Sequence, residues 1–486
     1  MMVDEAVKIT QRWLNRTYSG KKGYIVIDED GITGGNTIKA LTIALQIELG
    51  ITEPNGNFGP ATTSAFKDIA IWSDKANQVY ILQGALFCKG YNPTGFTGTF
   101  GENTKNAVIE FQSDAGLTNL TGVVDSLLMK ALLNMDSFKL LGDSKIRKVQ
   151  QNLNRDYSSN GYFRASIGLV PCDGIYERIT NKALIYALQI EEGIVEPNGN
   201  FGPATKARCP RLRLGSRQSK LIYLLQYALY VNGFDSSGFD GLYGENTKKA
   251  VTDFQRFSSL DETGVAGMQT WASLLVSKGD ESRKGTICDC STTITPAIAK
   301  ALRSNGYISV GRYLTGNYKI TPSELNIIFE EGLNFVPIFE TFGNKGDYFS
   351  TFQGSNDAKD AIEAVNNLRL KQGIIYFAVD FDALDKYIKG VLEYFAEIYK
   401  VFNDIGTSFK VGIYAPRKIS SIVSKAGYTC SSFVCDMSTE FSGNIGYPLP
   451  KDWAIDQIST ISIEIIDGNI KIDNSISSGR DIGISR

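Results

Sequence analysis

Two rhythms of apolar and polar positions divide the chain. In YGENTKKAVTDFQRFSSLDETGVAGMQTWASLL, which begins at Tyr243, Ala250, Val251, Phe254 and Phe257 fall on one helical face, with Asn246 or Thr247 placed to cap the start. Thr263-Gly264-Val265 makes a turn, and Trp271, Leu274 and Leu275 open a further helix. IKALTIALQIELGI, residues 38 to 51, is predicted helical in the same way. From Gly285 onward, short β-rich runs alternate with helical stretches. The runs are GTICDC (285–290), ISVGRYL (308–314), NFVPIFE (334–340), GIIYFAVDFD (373–382), FKVGIYA (409–415), SFVCDMS (432–438), WAIDQIS (453–459) and NIKIDNS (469–475).

Eight strands with helical crossovers predict an α/β domain, a (β/α)8 TIM-like barrel, with a flavodoxin-like open sheet as the alternative. The last connections are short for full helices. In a barrel of this kind the working groups stand at the C-terminal ends of the strands. Asp289, Arg312, Glu340, Asp380 with Asp382, Tyr414, Asp436, Gln457 and Asp473 occupy those places. Side chains two apart on a strand share a face, so Tyr376, Ala378, Asp380 and Asp382 point into the barrel and its mouth. Ile375, Phe377, Val379 and Phe381 lie beneath the helices. Like charges held close raise the pKa of one carboxyl and leave its neighbour ionised, as acid/base chemistry requires.

The helical half repeats. EPNGNFGPAT at 53–62 returns at 196–205, an offset of 143, and FGENTKNAVIEFQ at 100–112 returns at the same offset as YGENTKKAVTDFQ. Each unit divides again at an aromatic, a Gly turn, a Thr and a helix. The domains read from this are 1–75, 76–140, 141–215, 216–279 and the barrel at 285–486, with SKGDESRKGT (277–286) as a linker.

Composition narrows the chemistry. The chain of 486 residues has 50 basic and 52 acidic residues and a net charge of −2, without a block of one sign, so nucleic acid is not an expected partner. It has no histidine, which excludes a Ser/His/Asp triad, a Cys/His pair and a His-ligated zinc; no metal and no cofactor are expected. Carboxylates remain as acid/base groups, and paired carboxylates commonly hydrolyse glycosides. Seven cysteines without a CxxC pair are expected to be mostly reduced. No membrane span or signal peptide is read, so synthesis in the cytoplasm is expected. The cell wall is then reached after lysis, by holin-type release, or as a phage or spore component.

The repeats resemble the three-helix peptidoglycan-binding domains of bacterial cell-wall enzymes, which carry G-x-x-T-x-x-A-V-x-x-F-Q followed by T-G-x-x-x-x-x-T-W-x-x-L. Residues 218–278 match closely and 76–136 match without the Trp, whereas 5–70 and 144–212 keep only the first part. The resemblance implies all-α peptidoglycan-binding repeats, two of them degenerate, and bacterial peptidoglycan as partner. Phe254, Gln255 and Trp271 are read as packing and capping residues.

Residues 286–484, through GTICDCS, VGRYL, VPIFE, IYFAVDFD, VGIYA, WAIDQ and IDNS, resemble a glycoside-hydrolase-like bacterial domain of unknown function that is similar to the family 25 lysozymes. Carried over, this implies a muramidase-like activity with Asp289, Asp380, Asp382 and Asp473 as catalytic carboxylates and Asp382 as proton donor. The lysozymes have Asp-x-Glu where this chain has Asp380 and Asp382. Glu340, Arg312, Tyr313, Tyr414, Asp436, Trp453 and Gln457 are the expected substrate-binding residues; Tyr313, Tyr414 and Trp453 are candidate faces for sugar rings, with core packing the favoured reading of each aromatic. A wall or spore protein whose barrel binds glycan without cutting it is the alternative, and an enzyme on another polysaccharide is a third reading.

Overall fold

A buried glutamine organises each turn of the helical half. In the computed structural model, which describes residues 4–343, 345–465 and 468–486, the Gln255 side-chain amide donates to Val265 O (3.0 Å) and Thr270 Oγ1 (3.1 Å), while its Oε1 accepts from Gly264 N (2.9 Å). Gly264 has φ +61°, a conformation that costs glycine little and other residues more. The arrangement recurs at Gln11, Gln46, Gln83, Gln112, Gln150, Gln189 and Gln226, each accepting from a glycine N–H in the following turn. A buried amide needs both of its ends satisfied, and here the turn supplies them. The helix Glu245–Phe257 begins at Gly244 and not at an Asn246 or Thr247 cap. Thr247 instead ties the helix to the turn before it, through Leu242 O (3.0 Å) and Gln226.

Before the first strand, the described residues form only helices and the isolated bridges Ile69–Val124 and Leu212–Ala266. The chain divides into two compact units, Met1–Asn200 and Phe201–Arg486. The second contains helices Ser219–Val231, Glu245–Phe257 and Met268–Leu275, and then the sheet.

The sheet is a closed barrel of β1 (Ile287–Asp289), β2 (Ser309–Tyr313), β3 (Asn334–Phe339), β4 (Gly373–Ala378), β5 (Phe409–Ala415), β6 (Ser431–Val434), β7 (Trp453–Ile465) and β8 (Gly468–Ser477). Closure excludes the open flavodoxin-like sheet. Neighbours from β1 to β7 are parallel, but β8 runs antiparallel to both β7 and β1, so the barrel departs from the all-parallel (β/α)8 plan. Only residues 466–467 separate β7 from β8, which is too few for the crossover a parallel partner needs. Helices follow β1 to β5 (Pro296–Ser304, Pro322–Glu330, Thr351–Asn367, Asp385–Ile405, Arg417–Lys425), and none follows β6 or β7 among the described residues.

The outer face of β6 to β8 is covered instead by the last helical repeat. Val434, Trp453, Ile458 and Ile476 pack with Phe257, and the Trp453 indole N–H donates to Phe257 O at 3.0 Å. The stretch 277–286 is not a free linker. Ser277 and Asp280 are buried, the Ser277 hydroxyl donates to Asp436 O (3.1 Å), and Arg283 reaches Ser258 O (3.0 Å). All seven cysteines are free thiols, and no helix among the described residues is long and apolar enough to cross a membrane.

Candidate functional site

Strand parity sorts the polar strand ends into two groups. Val336, Ile338, Tyr376, Ala378, Tyr414, Phe433 and Cys435 fill the barrel interior, and Ile375, Phe377, Val379, Phe339 and Ile413 pack beneath the helices, following the expected alternation. Asp289, Tyr313, Glu340, Asp380, Tyr414 and Gln457 continue the inward set to the C-terminal mouth. Asp473 joins them from the opposite direction. It lies mid-strand in antiparallel β8, in register with Asp289, and not at a strand end as expected.

A hydrogen-bonded chain orders this group. The Tyr414 hydroxyl donates to Gln457 Oε1 (3.1 Å), and Gln457 Nε2 donates to Asp289 Oδ1 and Oδ2 (3.1 and 3.3 Å). Thr460 donates to Asp473 Oδ1 at 2.5 Å.

The electrostatics are those of carboxyls crowded in a dry place. Burial pushes Asp289 well above the usual carboxylate range, and Asp473, Asp380 and Glu340 add to the rise. Burial and the Asp473 charge raise Asp380. Burial raises Asp473, against the Thr460 hydrogen bond. Glu340 is pushed up to about 7 by burial and then by Asp380. Among the described residues, no Lys or Arg pairs with any of the four, and no cluster of side chains is spaced to hold a metal ion. A site of this kind keeps some carboxyls protonated and others ionised at neutral pH, and so can both give and accept a proton.

Three expected site residues lie elsewhere. Arg312 shares the outer parity of Val310 and Leu314; it is fully buried beneath the helices, where its Nε pairs with Glu324 Oε1 at 2.7 Å. Asp436 also faces outward and accepts from Arg417 Nε at 2.8 Å to each oxygen. Trp453 is 1% exposed and packs edge-on against Phe257, so it offers no face to a sugar. Asp382 lies past the end of β4, where its Oδ1 accepts from Ser442 N (2.7 Å) and Ser442 Oγ (2.5 Å). Tyr414 is nearly closed off at 9% exposure.

The open aromatic faces belong to residues that the strand-end criterion passes over. Tyr318, Phe342 and Phe352 are 57%, 65% and 75% exposed, on the segments that leave β2 and β3 at the mouth end. Tyr318 and Phe342 lie in loops and Phe352 at the start of the helix Thr351–Asn367; their places after strands were readable from the sequence, but their exposure was not.

The profile described as "FadG/YbfG, PGDB-like domain" matches residues 2–132 and 140–275, and that described as "Rv2525c-like, glycoside hydrolase-like domain" matches 300–474. The chain is 50% identical over 509 residues to the uncharacterized protein YbfG of Bacillus subtilis (strain 168), covering 100% of this chain and 69% of YbfG. It is 48% identical over 502 residues to the uncharacterized protein FadG of the same strain, covering 99% of this chain and 86% of FadG. Among solved structures, the Mycobacterium tuberculosis Tat-secreted protein Rv2525c in complex with HEPES aligns at 17% identity and TM-score 0.33, covering 40% of this chain and 96% of that one.

Proposed function

The chain belongs to the FadG/YbfG family and carries a glycoside hydrolase-like domain, and for it we propose a peptidoglycan-directed glycoside hydrolase, muramidase-like in its bond. The helical repeats hold the wall polymer and the barrel mouth cuts it. The observation that carries this reading is the convergence of Asp289, Glu340, Asp380 and Asp473 on one mouth without a cation to neutralise them. Glycoside cleavage uses such a set: one carboxylic acid protonates the leaving oxygen, while ionised neighbours stabilise the oxocarbenium-like transition state or activate water. Gln457, held by Tyr414, keeps Asp289 aimed at the mouth.

The test is release of reducing ends from purified peptidoglycan by the full chain, with Asp380→Asn and Asp289→Asn as controls. Release by wild type and its loss in both variants is the expected outcome. Binding without release on every wall type tried favours the second reading, a glycan-binding wall or spore protein. That reading has its own support in Asp382, which stands where the lysozymes carry Glu and is engaged by Ser442.

A further inference from the structure

Resting on the hydrolase reading, we infer that Glu340, and not Asp382, is the proton donor of the barrel. Glu340 follows β3 directly and continues the inward face of Val336 and Ile338, so its side chain enters the mouth. Asp382 is two residues beyond Asp380 in a segment that has left the strand, and both a backbone and a hydroxyl donor of Ser442 bind one of its oxygens. No hydrogen bond or ion pair occupies the Glu340 carboxyl among the described residues, which leaves it open to a substrate oxygen.

The backbone around Glu340 is fixed. Its carbonyl accepts from Thr315 Oγ1 at 2.6 Å. The next residue, Thr341, hydrogen-bonds through its hydroxyl to Tyr348, and Tyr348 donates to Asp357 Oδ2 at 2.6 Å. Buried Asp357 also accepts from Tyr394 (2.7 Å) and Gln353 (2.7 Å), which anchors the loop after β3 to two helices. A donor held on such a frame meets the requirement for accurate placement of a catalytic proton.

The surroundings keep it an acid. Asp380 on the β4 side, Asp289 on β1 and the Tyr313 hydroxyl on β2 are the titratable groups coupled to it, and none is a cation. Burial and Asp380 place Glu340 at about 7, where a group gives up its proton readily and still holds it at neutral pH. In the reaction the Glu340 proton passes to the glycosidic oxygen as the bond from that oxygen to the anomeric carbon breaks, releasing an alcohol and leaving Glu340 ionised. Water then supplies hydroxyl to the anomeric carbon, and its proton restores the carboxyl.

The experiment uses the full chain, peptidoglycan, and a wall oligosaccharide bearing a dinitrophenyl leaving group, which departs without protonation. Glu340→Gln is expected to lose about 10²–10⁴-fold on peptidoglycan, to keep most of its activity on the dinitrophenyl substrate, and to lose the alkaline limb of the pH profile near 7. Asp382→Asn is expected to stay within about 3-fold of wild type, as a residue outside proton transfer should. Release by wild type with Glu340→Gln equally active and Asp382→Asn inactive overturns the assignment and leaves the hydrolase reading standing. No release by wild type from any wall overturns both. Carboxyl NMR titration of glutamate-labelled protein checks the donor apart from turnover: the resonance lost in Glu340→Gln should titrate near 7, and titration in the ordinary glutamate range overturns the proposal.

Discussion

The barrel carries two clusters of buried carboxyls, and the difference between them is a guanidinium. At the seam with the last helical repeat, Asp436 and Asp456 lie against Arg417, whose Nε bonds both oxygens of Asp436 and whose Nη2 reaches Ser277 O at 2.6 Å. Burial and the Asp436 charge push Asp456 well above the usual carboxylate range, and burial raises Asp436 as well, against the pull of Arg417. At the mouth the same residue type has no such partner, and the protons have nowhere fixed to rest. Paired with a guanidinium, the acids fasten two parts of the fold; left without a cation at the barrel mouth, they are available for chemistry.

The comparison breaks most completely if the seam is removed. The fragment 285–486, stripped of Phe257 and its helix, exposes the Trp453 face and is expected to bind ANS and lose cooperative unfolding, whereas 201–486 unfolds cooperatively. Next in size is Arg417→Leu, which strands Asp436 without its cation. A loss of about 3–5 kcal/mol is expected in urea unfolding, partly recovered by adding Asp436→Asn.

The mouth should respond in the opposite sense. The folded protein raises the Glu340 pKa, so the stability associated with its proton is present in full below the unfolded value near 4.5 and is lost as pH rises to about 7. Glu340→Gln is therefore expected to be the more stable protein at pH 8 by about 1–2 kcal/mol, discounted for partial solvent screening, with the advantage vanishing by pH 4. The smallest effect belongs to Ser442→Ala, about 0.5–1.5 kcal/mol in the same assay, with little change in turnover.

Much of this architecture was legible from spacing. The alternation of Ile375, Tyr376, Phe377 and Ala378 gave their faces correctly, because a strand leaves a side chain only two directions. The same rule, applied to Arg312 and Asp436, would have sent both outward; grouping them with the mouth by position at a strand end ignored their parity with Val310 and Val434. For Asp382 the expected face shared with Asp380 has no strand beneath it. Alternation holds only while the strand lasts, and β4 ends at Ala378. The pairing of Arg417 with Asp436 and the docking of Phe257 on Trp453 join residues distant in sequence, and no local period announces them. The repeated glutamines were visible as part of a motif, but their bonds to the glycine turns required the fold.

The reversed last strand has a consequence for how the protein is made. β1 closes the barrel by pairing Ile287–Asp289 with Asp473–Ser475, contacts that span nearly the whole domain, whereas each glutamine clamp joins residues close in sequence. Long-range pairing carries a loop-closure cost that local contacts avoid, so the helical repeats can fold as they leave the ribosome while the sheet waits for its final strand. The packing of Trp453 against Phe257 belongs to the same late step, because it too needs a strand that is made near the end of the chain.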